Sequence, residues 1–421
     1  MRLVRYAIVT FGCRVNQADS LRIAEDLRAR GGLEAAPAAA DLVVVNTCSV
    51  TATADQGARQ TIRRIARDNP SARIVVTGCY ATREPAAVAH LPNVLRIVPN
   101  AEKDRLVDEV WETTSERFGP GDGPCGAPIA PGTGGRTGFT LRVQTGCEER
   151  CSYCIIPTTR GPGRSMPVAA VLDEVERIAG AGFKEIALTG VHLGSYGRDL
   201  TPPASLYELL NALHVCGADV VFRVSSLEPM DCTPDVVSLI AASRGRFAPH
   251  FHLPLQHASN RILALMRRPY TLDFYRRLVD SILASLPHAA IGTDLIVGFP
   301  GETDEDFAEN VQYLASSPLS HLHVFPYSDR PGTEASSLPS RVPPSVIRDR
   351  GVRMRGIGAL LASRFRESQL GSLRPGLTLE DGTLVVTDNY LKVRVPRGPS
   401  RNERVVVRID RSDGVLEGTI A

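Results

Sequence analysis

The sequence contains no apolar run near the roughly 20 residues that a membrane-spanning helix needs. It has no strong charge of either sign. The formal net charge is +2 over 421 residues, so any RNA partner must be met by local patches rather than by the whole surface. Lysine is nearly missing. Only Lys103, Lys184 and Lys392 occur, so almost all positive charge is arginine, a bias that genomic base composition explains. Nine cysteines in a chain this long are too few for a disulfide scaffold, and their odd count and tight clustering point towards metal. The first ten residues, Met1 to Thr10, are charged and lead into a strand-like run instead of a signal-peptide core. A cytoplasmic protein without membrane contact is expected.

What is present is a repeating pattern. Apolar runs at Tyr6–Thr10, Asp41–Asn46, Arg73–Thr77 and Val94–Val98 alternate with helical stretches from about Asn16 to Arg30, Thr53 to Asp68 and Lys103 to Phe118. Continuous apolar strands in a βαβα order predict an α/β domain over residues 1–118, a flavodoxin-like parallel sheet covered on both faces. Residues 119–138 are rich in Gly and Pro and read as a linker. Six further strand candidates follow: Phe139–Thr145, Glu185–Thr189, Val220–Ser226, His250–Gln256, Ala290–Val297 and His321–Tyr327. Six βα units predict an incomplete barrel over 139–344, with its functional face at the C-terminal strand ends. A helix over 345–370 then carries Arg348, Arg350, Arg353, Arg355, Arg364 and Arg366 against Asp349 and Glu367. Residues 371–421, with alternating runs at Leu384–Thr387, Tyr390–Pro396 and Val405–Asp410, read as a small all-β module.

Two cysteine sets carry chemistry. Cys147, Cys151 and Cys154 form a CxxxCxxC loop directly after the first barrel strand. Three thiolates that close together can hold one face of a 4Fe-4S cubane and leave its fourth iron without a protein ligand. That iron is then free to chelate S-adenosylmethionine (SAM) for one-electron cleavage. A structural zinc site would need a fourth Cys or His close by, and none follows Cys154. The second set is dispersed: Cys13, Cys48 and Cys79 each follow a strand of the first sheet. Parallel neighbours lie about 4.8 Å apart, so equivalent strand ends converge on one site. Cys125, Cys216 and Cys232 have no partners at ligand spacing.

Together these motifs resemble the radical SAM methylthiotransferases from about Tyr6 to the C-terminal module. They occur in order: Gly12-Cys-Arg-Val-Asn-Gln17, Asn46-Thr-Cys-Ser-Val50, Gly78-Cys-Tyr80, then Cys147 to Arg160. Leu188 to Gly194, Ser225 to Glu228, His252 to Gln256 and Asp294 to Thr303 follow. At residues 256–259 this chain reads Gln-His-Ala-Ser where the family has Gln-Ser-Gly-Ser. The motifs at Gly12–Asn16 and His323–Ser328 look most like the branch acting on N6-threonylcarbamoyladenosine at position 37 of tRNA. Related branches act on isopentenyladenosine or on an aspartate of a ribosomal protein.

The resemblance implies two 4Fe-4S clusters, the auxiliary one on Cys13, Cys48 and Cys79 and the radical one on Cys147, Cys151 and Cys154. It also implies two SAM molecules per turnover, a one-electron reductant such as flavodoxin or ferredoxin, and a tRNA anticodon loop as partner to a monomer. Around SAM it suggests the backbone near Gly190, Ser226 or Glu228 for the ribose, and Gln256 and Arg160 for the methionine end. Gly298 and Gly301 would let a loop approach the adenine. Lys392, Arg394 and Arg397, with Tyr390 as a stacking ring, would meet RNA from a TRAM-like module, and so would the arginine-rich helix. A rival of another class is an iron-sulfur electron carrier or RNA-binding scaffold that never cleaves SAM.

Overall fold

The computed structural model describes residues 4–111, 129–132, 137–396 and 398–421. The expected linker core, with Cys125, and Arg397 lie outside the described residues.

The first domain is a five-stranded parallel sheet of β1 (Arg5–Thr10), β2 (Leu33–Glu34), β3 (Leu42–Thr47), β4 (Arg73–Gly78) and β5 (Val94–Val98), in the order β2-β1-β3-β4-β5. Alternation along β3 divides its side chains between two cores. Val43 and Val45 pack with Ile62 on one face, while Leu42 and Val44 pack with Ile23 and Leu27 on the other. The flanking helices are Arg14–Ala29 and Ala52–Asp68. The expected helix at Lys103–Phe118 begins as one 3₁₀ turn, Lys103–Arg105, and continues as Leu106–Val110; residues 112–118 lie outside the described residues.

The second domain contains β6 (Phe139–Arg142), β7 (Gln144–Thr145), β8 (Arg164–Ser165), β9 (Glu185–Thr189), β10 (Val221–Val224), β11 (His250–His252), β12 (Ala290–Val297) and β13 (His321–Pro326). Strands β6, β9 and β10 form one parallel sheet and β11, β12 and β13 another. A Phe222–Phe247 bridge and the bond from Leu227 N to His252 O (2.9 Å) join them into a six-stranded arc. Several expected strands are shorter than their apolar runs, Val220–Ser226 forming only Val221–Val224, and two barrel strands show why. Phe139–Thr145 breaks at Val143 because Gln144 and Thr145 turn to pair antiparallel with Ser165 and Arg164, pinning both ends of the cysteine loop. His250–Gln256 stops at His252, ahead of Pro254, which has no N–H to donate.

The arc does not close on itself. The helix Arg14–Ala29 packs on edge strand β6, and Ala52 N donates to Ser328 Oγ (3.0 Å) beyond edge strand β13. The first domain therefore covers the lateral gap. The long helix Pro344–Ser368 belongs to the same core through Met354, Ile357 and Leu361. Its arginine run is not uniformly a solvated face, since Arg350 is buried and pairs with Asp304 (2.7 Å) and Glu302 (3.1 Å).

The C-terminal module is a closed barrel of β14 (Leu373–Leu379), β15 (Leu384–Thr387), β16 (Lys392–Arg394), β17 (Arg404–Asp413) and β18 (Val415–Ile420), in the order β14-β15-β16-β18-β17. The sequence reading missed β14 and β18. Pro375 and Gly376 disguise the first, and Gly418 interrupts the second where a Cβ would lie 2.3 Å from Arg408 O, a close backbone approach.

Candidate active site between two cysteine sets

The registers Thr10↔Asn46 and Thr47↔Gly78 align the C-terminal ends of β1, β3 and β4, so Cys13, Cys48 and Cys79 emerge together. Gly12 has φ +89°, and a Cβ there would sit 2.6 Å from Cys48 Sγ; Gly78 has φ +98°, and a Cβ would meet Thr47 O at 2.1 Å. Both positions exclude a side chain, which lets the thiols approach. Cys13 is exposed, whereas Cys48 and Cys79 are buried. Burial, reinforced by the neighbouring thiols, pushes Cys48 up to about 11. Asn100 Nδ2 approaches Cys79 Sγ at 3.6 Å, and Val50 N approaches Cys48 Sγ at 3.5 Å.

The second loop is held by Cys147 N donating to Gly161 O (3.0 Å) and Cys154 N to Cys151 O (3.1 Å). Burial raises the Cys151 thiol and drives Cys154 up to about 12. Arg268 Nη1 donates to Cys151 Sγ at 3.0 Å and also pairs with Glu228. His192 sits against Cys147 and Asp231, with Nε2 2.8 Å from Asp231 Oδ2. Burial would lower this imidazole, but the two partners outweigh it and bring it to about 9.

Among the described residues, the three sulfurs of neither set lie mutually within 4.8 Å. A tetrahedral zinc, with Zn–S of about 2.3 Å, would hold them nearer 3.8 Å. The wider spacing suits a multi-iron group, and donors aimed at the sulfurs are what such a group uses to set its potential. An open cleft joins Cys154 to the segment that follows Cys48. Val50 and Thr51, just after Cys48, form one wall; Tyr153 to Ile156, around Cys154, form the other, with Gln256, Asp294 and Phe325–Ser328 between.

Two domain models cover most of the chain: Uncharacterized protein family UPF0004 at residues 5–99 and the Radical SAM superfamily at residues 141–314. A protein of Aquifex aeolicus named threonylcarbamoyladenosine tRNA methylthiotransferase MtaB is 36% identical, covering 93% of this chain and 96% of that protein. Its Bacillus subtilis namesake is 35% identical over 92% and 89%. This chain belongs to the MtaB-like family of radical SAM methylthiotransferases. A Carboxydothermus hydrogenoformans protein named tRNA-2-methylthio-N(6)-dimethylallyladenosine synthase is 34% identical over 81% of this chain and 80% of that protein. The fold is shared with the radical SAM methyltransferase TsrM of Kitasatospora setae, at a TM-score of 0.56 and 18% identity, covering 80% of this chain and 77% of TsrM. The protein is thus a radical SAM methylthiotransferase, and the superfamily implies a 4Fe-4S cluster and SAM.

Several expected site residues stand elsewhere than the sequence suggested. Arg160 does not face the barrel cysteines' cleft: the short helix Ile156–Arg160 turns it into the first domain, where it meets Asn16 Oδ1 (2.5 Å), Asp19 (3.4 Å) and the Cys79 thiol. Gly298, at φ +78°, leaves room for Ile347 of the long helix, which a Cβ would meet at 2.3 Å. Tyr390 stacks on His250 of the barrel at 4.6 Å while 44% exposed. Glu228 and Ser226 follow β10, the first paired with Arg268 and the second 2.9 Å from His252 Nδ1. Gly190 follows β9 beside Gln144, whose Oε1 accepts from the next two amides, Val191 N and His192 N, at 2.9 Å each. Gln256 lines the cleft in a left-handed turn at φ +68°. His257, where the family has Ser, is fully buried against Asn310 (2.7 Å), away from the cleft. Lys392 and Arg394 are exposed on β16.

Sequence reasoning missed Arg268, His192, Asp19 and Arg330. His192 lies inside a motif that the resemblance already used. Asp19, Arg268 and Arg330 carry no local signal, because their partners are remote: Arg330 is buried and reaches Asp55 (2.8 Å) across 275 positions.

Proposed function

We propose that this enzyme joins a methylthio group to C2 of N6-threonylcarbamoyladenosine at position 37 of tRNA, in the cytoplasm. The observation that carries the reading is one cleft lined both by Cys154 of the CxxxCxxC loop and by Val50 and Thr51, which follow Cys48. A C2–H has neither an acidic proton nor a leaving group, so acid–base chemistry cannot open it and a radical must. Carbon and sulfur have to meet between the sets. The relatives support the substrate: five named for threonylcarbamoyladenosine cover 92–96% of this chain, while three named for dimethylallyladenosine cover 81–89%.

When loaded, the barrel cluster supplies the electron that splits SAM and the first-domain cluster carries the sulfur to be transferred. The chain's own residues bind and orient. Cys147, Cys151 and Cys154 would hold the first group, with Arg268 and His192 donating to its sulfurs; Cys13, Cys48 and Cys79 would hold the second, with Asn100 and Arg160 beside it. Gly190, Ser226, Glu228 and Gln256 stand at successive strand ends near the CxxxCxxC loop and are assigned to SAM. The strand order β2-β1-β3-β4-β5 supports a flavodoxin-like reading of the first domain. The five-stranded closed barrel supports a TRAM-like reading of the last, with Lys392 and Arg394 towards RNA phosphates. A flavodoxin or ferredoxin would reduce the monomer.

Anaerobic reconstitution tests the two-cluster claim: about eight irons per chain are expected, with 5′-deoxyadenosine released after reduction. Cys151→Ala should abolish deoxyadenosine and leave the first-domain cluster in place; loss of both would argue for one shared site. Mass spectrometry of tRNA nucleosides from a deletion strain decides the substrate. Unchanged 2-methylthio-N6-threonylcarbamoyladenosine in that strain refutes it.

A further inference from the structure

Alternate residues of a barrel strand face inward. Asp294, Ile296 and Phe325 line the cleft, and the registers Asp294↔His323 and Gly292↔His321 carry the same inward face down β12 and β13. His250 and His252 continue it on β11, paired with Ala290 and Gly292. Below the cleft the lumen is therefore lined by four histidines. Ring centroids are 5.2 Å apart for His321 and His323, 5.4 Å for His252 and His323, and 6.1 Å for His250 and His321. Gly292 makes the room, since a Cβ there would lie 2.0 Å from His321 Nε2. Parallel barrels usually fill this space with branched apolar side chains. Here His323, in the middle of edge strand β13, keeps a side chain 55% exposed, so this part of the face is open to solvent.

The floor is supplied by the other two domains. Tyr390 lies 4.6 Å from His250, and Arg14 Nη2 donates to the Tyr390 hydroxyl at 3.2 Å. Arg14 follows Cys13 directly, and among the described residues no ion pair joins it to a carboxylate. Both ring nitrogens of His250 are buried without a partner. A cation without a counter-ion and an unsatisfied imidazole are what a polar, anionic group would complete.

We propose that this histidine-lined lumen receives the N6 substituent of the target adenosine, with Arg14 and His323 taking its carboxylate. The assignment rests on the tRNA reading above and adds how the substituent is recognised. With the adenine ring in the cleft at the level of Phe325, two residues along β13 span about 6.6 Å to His323, comparable to the reach of a threonylcarbamoyl arm. That arm offers a urea, a hydroxyl and a carboxylate. A prenyl arm offers none and would leave His250 without a partner and Arg14 without a counter-charge. One competing occupant has the right donors: His252 Nε2, Asp294 Oδ1 and His323 Nδ1 lie within 4.8 Å of one another and could hold a metal ion. The carboxylate oxygen already faces both imidazoles at 3.0 Å and 3.2 Å, which closes the triad by hydrogen bonds.

The test uses the reconstituted full chain with anticodon stem-loops carrying either threonylcarbamoyladenosine or isopentenyladenosine. His323→Phe and Arg14→Gln should each raise KM for the threonylcarbamoyl RNA about tenfold, leave KM for SAM unchanged and narrow the preference between the two RNAs. On the wild type, free N6-threonylcarbamoyladenosine should compete with the RNA more strongly than its methyl ester, a measurement that needs no variant to fold. Unaltered KM and preference in both variants overturn the proposal. So does a rise in KM for SAM instead, equal competition by acid and ester, or one divalent ion per chain that His323→Phe removes. A wild type that modifies neither RNA refutes the tRNA reading itself.

Discussion

Asp19 ties the first domain to the barrel. Its side chain is 1% exposed and meets Lys103 Nζ at 3.0 Å, Arg142 Nη1 at 2.5 Å and Arg160 Nη2 at 3.4 Å. Burial alone would raise this carboxyl, but the three cations hold it well below the ordinary carboxylate range. Asp19→Asn would leave three buried cations without their common counter-charge. We expect about 3–5 kcal/mol of lost stability, read from the urea unfolding midpoint; a loss below 1 kcal/mol would show the cations re-paired with other groups. His321 adds a pH dependence of the same sign at higher pH. Burial first, and its neighbours His323 and His252 next, bring this imidazole down to about 4. An unfolded histidine takes its proton near 6.5, so the unfolded chain binds more protons between those values and stability falls as pH drops from 6.5 towards 4. The slope is about 1.4 kcal/mol per pH unit for one such group. His321→Phe should flatten the fall of the melting temperature between pH 7 and pH 5; an unchanged slope assigns it to other groups. The cysteines were legible in sequence because ligand chemistry is a property of residue type and spacing. Arg160 was not, because its closeness to Cys154 in sequence conceals the turn of a five-residue helix that sends it to Cys79.

Strands β5, β9, β12 and β15 were read at the bounds they have, since apolar and β-branched residues dominate each, with only Arg96, Glu185, Gly292 and Asp294 among them. Elements whose reason lies outside the local sequence were harder. β2 has two residues and exists only through its pairing with β1. β14 carries a Pro–Gly pair that reads as a break, yet it is held on both sides by β15 and β17. The long helix was placed within two residues at each end, but its arginines looked uniformly solvated until the barrel was packed against it. That packing depends on one glycine. Gly298→Ala would put a Cβ 2.3 Å from Ile347 Cγ1 and impose a left-handed φ on a residue with a side chain. We expect about 1–3 kcal/mol of destabilisation. Ile347→Ala in the same chain should recover part of it, since truncation removes the clash and leaves the backbone strain. Full additivity of the two substitutions would mean that the helix does not seat on the turn at Gly298.

At the scale of the molecule, the order of βα units was readable, because hydrophobic periodicity repeats through both large domains. How three domains enclose one space was not readable, because it rests on contacts between distant segments with no common pattern. Arg223 shows the consequence. Its side chain is 1% exposed inside the barrel, and it pairs with Glu185 (2.7 Å) while donating to Asp388 O (2.9 Å) of the C-terminal module. Tyr390 lies beneath the same guanidinium, 4.9 Å from ring centroid to Cζ. Asn389 Nδ2 to His288 O (3.0 Å), Asn402 Nδ2 to Gly182 O (2.8 Å) and Arg404 to Asp219 (2.5 Å) fasten the module elsewhere on the barrel's rim. A module attached in this way is docked on the barrel and not merely tethered to it. Two outcomes follow for calorimetry. The full chain should melt without a separate transition for the module. Tyr390→Ala, which keeps the module but removes the ring between His250, Arg223 and Arg14, should lower the barrel's own transition by about 1–3 kcal/mol. If instead a chain ending at residue 370 melts at the full-length temperature, the docking contributes nothing to the barrel and the module acts only from outside it.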